Sequence, residues 1–162
     1  MNKVEENRAA QYLVFQLGEN SFGVDILRVK EILQFSGCTT VPRTPDYIRG
    51  VVNLRGNVLP VVDLLCLFQG TPADATRKSC VIIVEIQIHG DRAEAGILVD
   101  SVEQVLDMAP DMIEPAPNFG SGVPTNFISG MARFENRFVI LLDLDLVLAP
   151  EEMRTFSPRS NG

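Results

Sequence analysis

Two stretches of the chain repeat each other without a gap at a displacement of 80 residues, and this limits the fold more than any other feature. Tyr47 to Phe68 overlays Phe127 to Leu148, so that Ile48, Gly50, Asp63 and Leu64 meet Ile128, Gly130, Asp143 and Leu144. Most other pairs are apolar on apolar, such as Val58 on Phe138 and Val62 on Leu142. A second overlay, displaced by 73, sets Gly23-Val24 and Val29-Lys30-Glu31-Ile32-Leu33 on Gly96-Ile97 and Val102-Glu103-Gln104-Val105-Leu106. Such a chain reads as two similar units of about 70 residues, each near the size at which a separate core becomes marginal. The units are therefore expected to share buried surface.

Both units read as β. Tyr12 to Leu17 is apolar and β-prone, Gly18-Glu19-Asn20-Ser21 behind it reads as a hairpin turn, and Phe22 to Ile26 alternates. Val51 to Leu54 and Val58 to Asp63 read as two strands around a turn at Arg55-Gly56-Asn57. Thr44 to Gly50 is predicted as one helical turn, with Thr44 as N-cap, Pro45 at N1 and Gly50 at its end. The expectation is an all-β protein with one unit mainly over residues 12–68 and one mainly over 79–148, strand exchange between them being allowed. The polar, turn-rich stretch Gln69 to Lys78 links them, Pro150 opens a short helix, and residues 1–9 and 157–162 read as flexible tails.

Composition narrows the function. The formal net charge is −7, which disfavours a protein whose affinity comes from phosphate contacts. Three separated cysteines (Cys38, Cys66, Cys80) without a Cys-x-x-Cys fit a reducing compartment. The N-terminus lacks an apolar signal-peptide core, and apolar runs such as Phe138 to Leu142 stop short of the roughly 20 residues a bilayer span needs. A soluble, cytoplasmic protein without membrane insertion is expected.

Catalytic and cofactor patterns do not assemble. The one histidine, His89, reads as a hairpin-tip residue before Gly90, so no metal site follows from spacing. No nucleophile elbow, P-loop or Gly-x-Gly-x-x-Gly is present, and Gly120-Ser121-Gly122 reads as loop. Asp63 and Asp143 coincide across the repeat, which points to a shared strand-end or helix-cap role. No catalytic residue, metal or cofactor is assigned. The repeat also serves as an internal control, because positions that differ are where function is added. At one tip the first unit has Asn53-Leu54-Arg55-Gly56 where the second has Arg133-Phe134-Glu135-Asn136. Arg55 there projects a rigid fork suited to carboxylates or amides. Arg43 to Arg55 could alternatively bind single-stranded nucleic acid on a small barrel, but Tyr47 is its sole stacking aromatic.

The ordered blocks resemble the CheW-like domain family. Tyr12-Leu13-Val14-Phe15, Phe22-Gly23-Val24-Asp25-Ile26 and Val29-Lys30-Glu31-Ile32 are similar to its opening. Val41-Pro42, Tyr47 through Gly56, and Pro60-Val61-Val62-Asp63-Leu64 follow it, as do Gly96 to Val102 and Ile140 to Asp143. The resemblance spans about Tyr12 to Leu148 and implies a domain over residues 10–150, built as two intertwined SH3-like five-stranded β-barrels with short helical turns. It implies a non-enzymatic adaptor joining the cytoplasmic hairpin tip of chemoreceptors to the regulatory domain of the histidine kinase CheA. Carried over by position, Asn53, Leu54 and Arg55 would contact the receptor, and Val29 and Glu31 the kinase. Family members often place an arginine after the Val-Asp-Leu motif, where this chain has Leu65-Cys66.

Overall fold

The computed structural model describes residues 10–115 and 127–148. The predicted tails, the Pro150 helix and the Gly120 loop lie outside the described residues. The chain runs β1 (Ala10–Leu17), β2 (Asn20–Asp25), a 3-10 turn (Ile26–Arg28), β3 (Val29–Gln34), β4 (Ile48–Leu54), β5 (Asn57–Asp63) and α1 (Leu64–Gln69). It continues through β6 (Cys80–Ile88), β7 (Asp91–Val99), β8 (Ser101–Met108), a second 3-10 turn (Pro110–Met112), β9 (Ile113–Glu114), β10 (Ile128–Phe134), β11 (Arg137–Leu142) and α2 (Leu144–Val147). The fold is all-β with short helical turns.

Two sheets form, in the orders β3-β6-β7-β5-β4 and β8-β1-β2-β11-β10-β9. Each takes strands from both sides of the 69–78 linker, so the linker does not divide the sheets. β1 and β2 join the sheet of β10 and β11, while β6 and β7 join that of β4 and β5. The first two strands of each half are exchanged, while the third stays with its own half and pairs with the incoming strands: β3 with β6, and β8 with β1. The repeat survives this exchange in detail, because β5 meets β7 and β11 meets β2 in parallel at Val61↔Gly96 and Leu141↔Gly23.

Each sheet closes on itself. In the first, β3 and β4 are opposite edges, yet the chain beyond β3 returns to pair Thr39 with Val51 on β4, with N–H···O distances of 2.9 and 2.8 Å. In the second, β9 pairs with β10 through Ile113↔Ala132. Closure brings backbone against backbone at two repeated positions, and it explains why both are glycine. A Cβ on Gly50 would stand 2.3 Å from the Thr39 carbonyl oxygen, and one on Gly130 2.7 Å from Ile113 Cγ2. Of the helical turn expected over Thr44 to Gly50, a single turn forms, with Ile48 N–H donating to the Pro45 carbonyl at 3.0 Å, and neither the Thr44 cap nor the Gly50 end is as expected. Thr44 Oγ1 instead donates to the Val41 carbonyl, and β4 begins at Ile48.

The two barrels share one core. A cluster including Phe15, Phe22, Ile48, Val62, Ile82, Ile97, Ile140 and Leu142 fills the space between them. Smaller clusters fill each interior: Val61, Val81, Ile83 and Leu98 in the first, Val14, Met108, Val139 and Leu141 in the second. The central strands are thus buried on both faces and read as continuous apolar runs rather than alternating ones. Asp63 and Asp143 cap α1 and α2, accepting from Cys66 N at 3.1 Å and Leu146 N at 3.3 Å, as their coincidence predicts. Asp63, fully buried, also accepts from Ala73 N (2.9 Å) and Arg49 Nη1 (3.1 Å), which ties the linker to the first barrel.

Candidate functional site

The turn joining β4 to β5 has two residues, with Leu54 paired to Asn57. Arg55 and Gly56 have φ of 54° and 85°, the two positive values of a type I′ turn, whose twist matches that of the strands. Gly56 adopts this freely, whereas a non-glycine residue there carries about 1 kcal/mol of strain. Asn53 helps to hold it, since Gly56 N–H donates to Asn53 Oδ1 at 3.0 Å. The tip is stiff, and the Arg55 side chain extends from it 71% exposed.

Arg55 is nevertheless not solitary. Its Nη1 lies 2.6 Å from Oε1 of Glu31 on β3, an edge strand of the same sheet. The hydrogen bond to Glu31 raises the Arg55 pKa further, so the guanidinium is a permanent cation. Register shifts by one between Val29 and Glu31, a bulge at Lys30 that re-aims the following side chains. The second half repeats that bulge at Glu103, between Val14 and Phe15 of the partner strand.

Of the five expected docking residues, the structure brings Arg55 and Glu31 into contact with each other, and the others play different parts. Asn53 is exposed and braces the turn. Leu54 is half-buried against the interior cluster of the first barrel, so its side chain supports the hairpin from within. Val29 is half-buried against the shared core, and it is not the exposed apolar residue that an edge strand suggests. The nucleic-acid reading loses its parts here: Arg49 is held by Asp63 and lies over the Phe35 ring at 5.7 Å, and Tyr47 packs against the core.

The sequence does not signal the long-range charged pairs elsewhere in the fold. Arg28 grips Asp145 with both outer nitrogens (2.8 and 2.7 Å), tying the first 3-10 turn to α2 over 117 positions. That hydrogen bond holds the Asp145 carboxyl below its usual range. Arg137 similarly binds Glu103 at 2.7 Å and Ser21 Oγ at 3.0 Å, and Gln16 also donates to Glu103. Among the described residues no group of three or more His, Cys, Asp or Glu is placed to hold a metal ion, and no helix is long and apolar enough to cross a membrane.

Two closed β-barrels that share a core and present a rigid, charged hairpin tip define a twin-barrel β module. The CheW-like domain family matches residues 11–152. A chemotaxis protein CheW of Klebsiella aerogenes is 36% identical over 148 residues, 91% of this chain and 87% of that one. A probable chemotaxis protein CheW of Rhizobium etli is 32% identical over 142 residues, 88% and 89% of the two chains. The crystal structure of the scaffolding protein TtCheW from Thermoanaerobacter tengcongensis superposes with a TM-score of 0.78 at 33% identity, covering 89% of this chain and 90% of that one. The chain belongs to the CheW family. It is a non-catalytic adaptor of chemosensory signalling.

Proposed function

We propose that this adaptor works in the cytoplasm, coupling the hairpin tip of chemoreceptors to the CheW-like regulatory domain of the kinase CheA. Arg55 carries the receptor contact, with Asn53 holding its turn and Leu54 supporting it from inside. Glu31 carries the kinase contact, with Val29 anchoring its strand to the core. The observation that supports this most is the exposed guanidinium on a stiff turn, 71% accessible although already paired. A planar fork held this way loses little rotamer freedom when it meets a receptor carboxylate or carboxamide.

The test sets kinase binding against fold. Glu31→Lys puts a second cation beside Arg55 and removes the acid offered to the kinase. It should weaken binding of the CheA regulatory domain by about 1–3 kcal/mol while moving the thermal midpoint little. Unchanged kinase affinity in calorimetry would remove Glu31 from the interface. Binding of single-stranded RNA at roughly 150 mM salt, without receptor binding, would favour a nucleic-acid role instead.

A further inference from the structure

The Arg55–Glu31 contact joins a residue of the proposed receptor surface to a residue of the proposed kinase surface. We infer that this ion pair is a built-in competitor, so that receptor and kinase each strengthen the binding of the other by relieving one half of it. The inference rests on the assignment of the two surfaces given above.

The argument is electrostatic and depends on where the pair sits. Glu31 already holds one outer nitrogen of Arg55 at 2.6 Å. A receptor acid that takes both outer nitrogens must displace Glu31. One that takes the remaining edge leaves two carboxylates on a single cation, and like charges at that distance repel. In either geometry Glu31 opposes the receptor. A kinase cation drawn to Glu31 meets the mirror-image difficulty, because Arg55 lies beside it. Whichever partner binds first bears the cost of the intramolecular pair, and the second is spared it. That is positive coupling, and linkage makes it equal in both directions. The Arg55 side chain is 71% exposed and that of Glu31 is 25% exposed, so the pair is largely screened and the coupling is small, about two- to fivefold in affinity. The chemistry of the partners follows: an acidic or carboxamide group on the receptor side, and a cationic group on the kinase side.

The acid–arginine pair between the corresponding strands of the second barrel, displaced from the matching positions, does not offer such a device. There Glu103 and Arg137 are bound together with Gln16 and Ser21, and the arginine is 38% exposed. A partner would have to dismantle a network rather than borrow one side of a pair.

The experiment is a calorimetric titration of the whole chain with a receptor cytoplasmic hairpin fragment, with and without saturating CheA regulatory domain. For the wild type, the kinase domain should raise receptor affinity by about two- to fivefold. Glu31→Gln should show the raised affinity with no kinase present, and saturating kinase should add nothing. Receptor affinity of Glu31→Gln equal to or below wild type overturns the inference, because Glu31 would then be a brace for Arg55 rather than a competitor. So does a wild type indifferent to the kinase. A second variant separates this failure from failure of the underlying assignment. If Arg55→Ala binds the receptor as wild type does, the receptor surface is wrong and the coupling falls with it. If Arg55→Ala is weakened but Glu31→Gln is not strengthened, the surface stands and the coupling alone is rejected.

Discussion

The hairpins β4–β5 and β10–β11 have the same backbone and different side chains. Both turns hold two residues at positive φ (54° and 85°, 49° and 64°), and both pass a bulge and a closure glycine on the way in. Each barrel also ties its hairpin to an edge strand of its sheet, β3 or β8, through an acid and an arginine. In the second barrel this pair is Glu103 with Arg137, braced by Gln16 and Ser21, while Arg133 is spent on Glu114 and the Phe138 ring. In the first barrel it is Glu31 with Arg55, moved onto the turn itself and left outward. The difference teaches how one scaffold holds one arginine as a structural clamp and leaves the other outward, where the proposed docking contact lies. The backbone is common to both, and what distinguishes them is how completely the arginine is satisfied inside the molecule.

The largest effects should come from what differs least in sequence. Asp63→Ala leaves Arg49, Cys66 N and Ala73 N without their common acceptor in a buried place, and should cost about 3 kcal/mol. Asp143→Ala removes a half-buried cap with one hydrogen bond and should cost about 1 kcal/mol. Equal losses in urea unfolding would mean that the two caps are energetically equivalent despite their different burial. Gly50→Ala forces a Cβ onto the Thr39 carbonyl and should cost about 2–3 kcal/mol, with Gly130→Ala close behind because Ile113 can shift slightly. If either is neutral, that barrel does not depend on its closing contact.

The clamp and the docking contact should also separate by stability. Arg137→Ala strands a mostly buried Glu103 and should cost about 1 kcal/mol after discount for the exposed arginine. Arg55→Ala should leave the urea midpoint essentially at that of wild type. The acid side adds a sharper version. Burial by itself would raise the Glu103 pKa, but the hydrogen bonds from Arg137, Gln16 and Ser21 outweigh it and hold the carboxyl below its ordinary range. A depressed folded pKa contributes stability above the unfolded value near 4.3 and loses it as pH falls through the folded one. Wild type and Arg137→Ala should therefore differ at pH 7 and converge in unfolding measurements as pH is taken well below about 4. A constant gap between them across that range would contradict the clamp.

Much of this was readable from the residues, and the exceptions share a cause. The repeat, the hairpins and the caps at Asp63 and Asp143 are local patterns written twice, so chance is a poor explanation for them. The exchange of the β1–β2 and β6–β7 hairpins leaves no local sign, since the two halves carry the same apolar pattern and either opening hairpin suits either sheet. Thr44-Pro45 carries good helix-start chemistry, but the packing of Gly50 against Thr39 decides that stretch. At the site, the turn residues that differ between the units drew attention to Arg55. Its pairing with Glu31 was not legible, because it depends on closing the first sheet. Val29 misleads for a related reason: on an edge strand packed against a second barrel, the side expected to be open faces the shared core.

The account stands most directly on receptor binding by the two hairpins. Wild type, Arg55→Ala and Arg133→Ala should be titrated calorimetrically against a receptor cytoplasmic hairpin fragment, with the CheA regulatory domain as a control for fold. Arg133 is the comparison to make, because it occupies the same hairpin position as the turn-bracing Asn53 and is itself 64% exposed. Loss of Arg55 should cost about 2 kcal/mol, roughly thirtyfold in dissociation constant, while Arg133→Ala binds as wild type. Equal receptor affinity for all three proteins, or a greater loss from Arg133→Ala, would contradict the claim that the first hairpin is the docking contact.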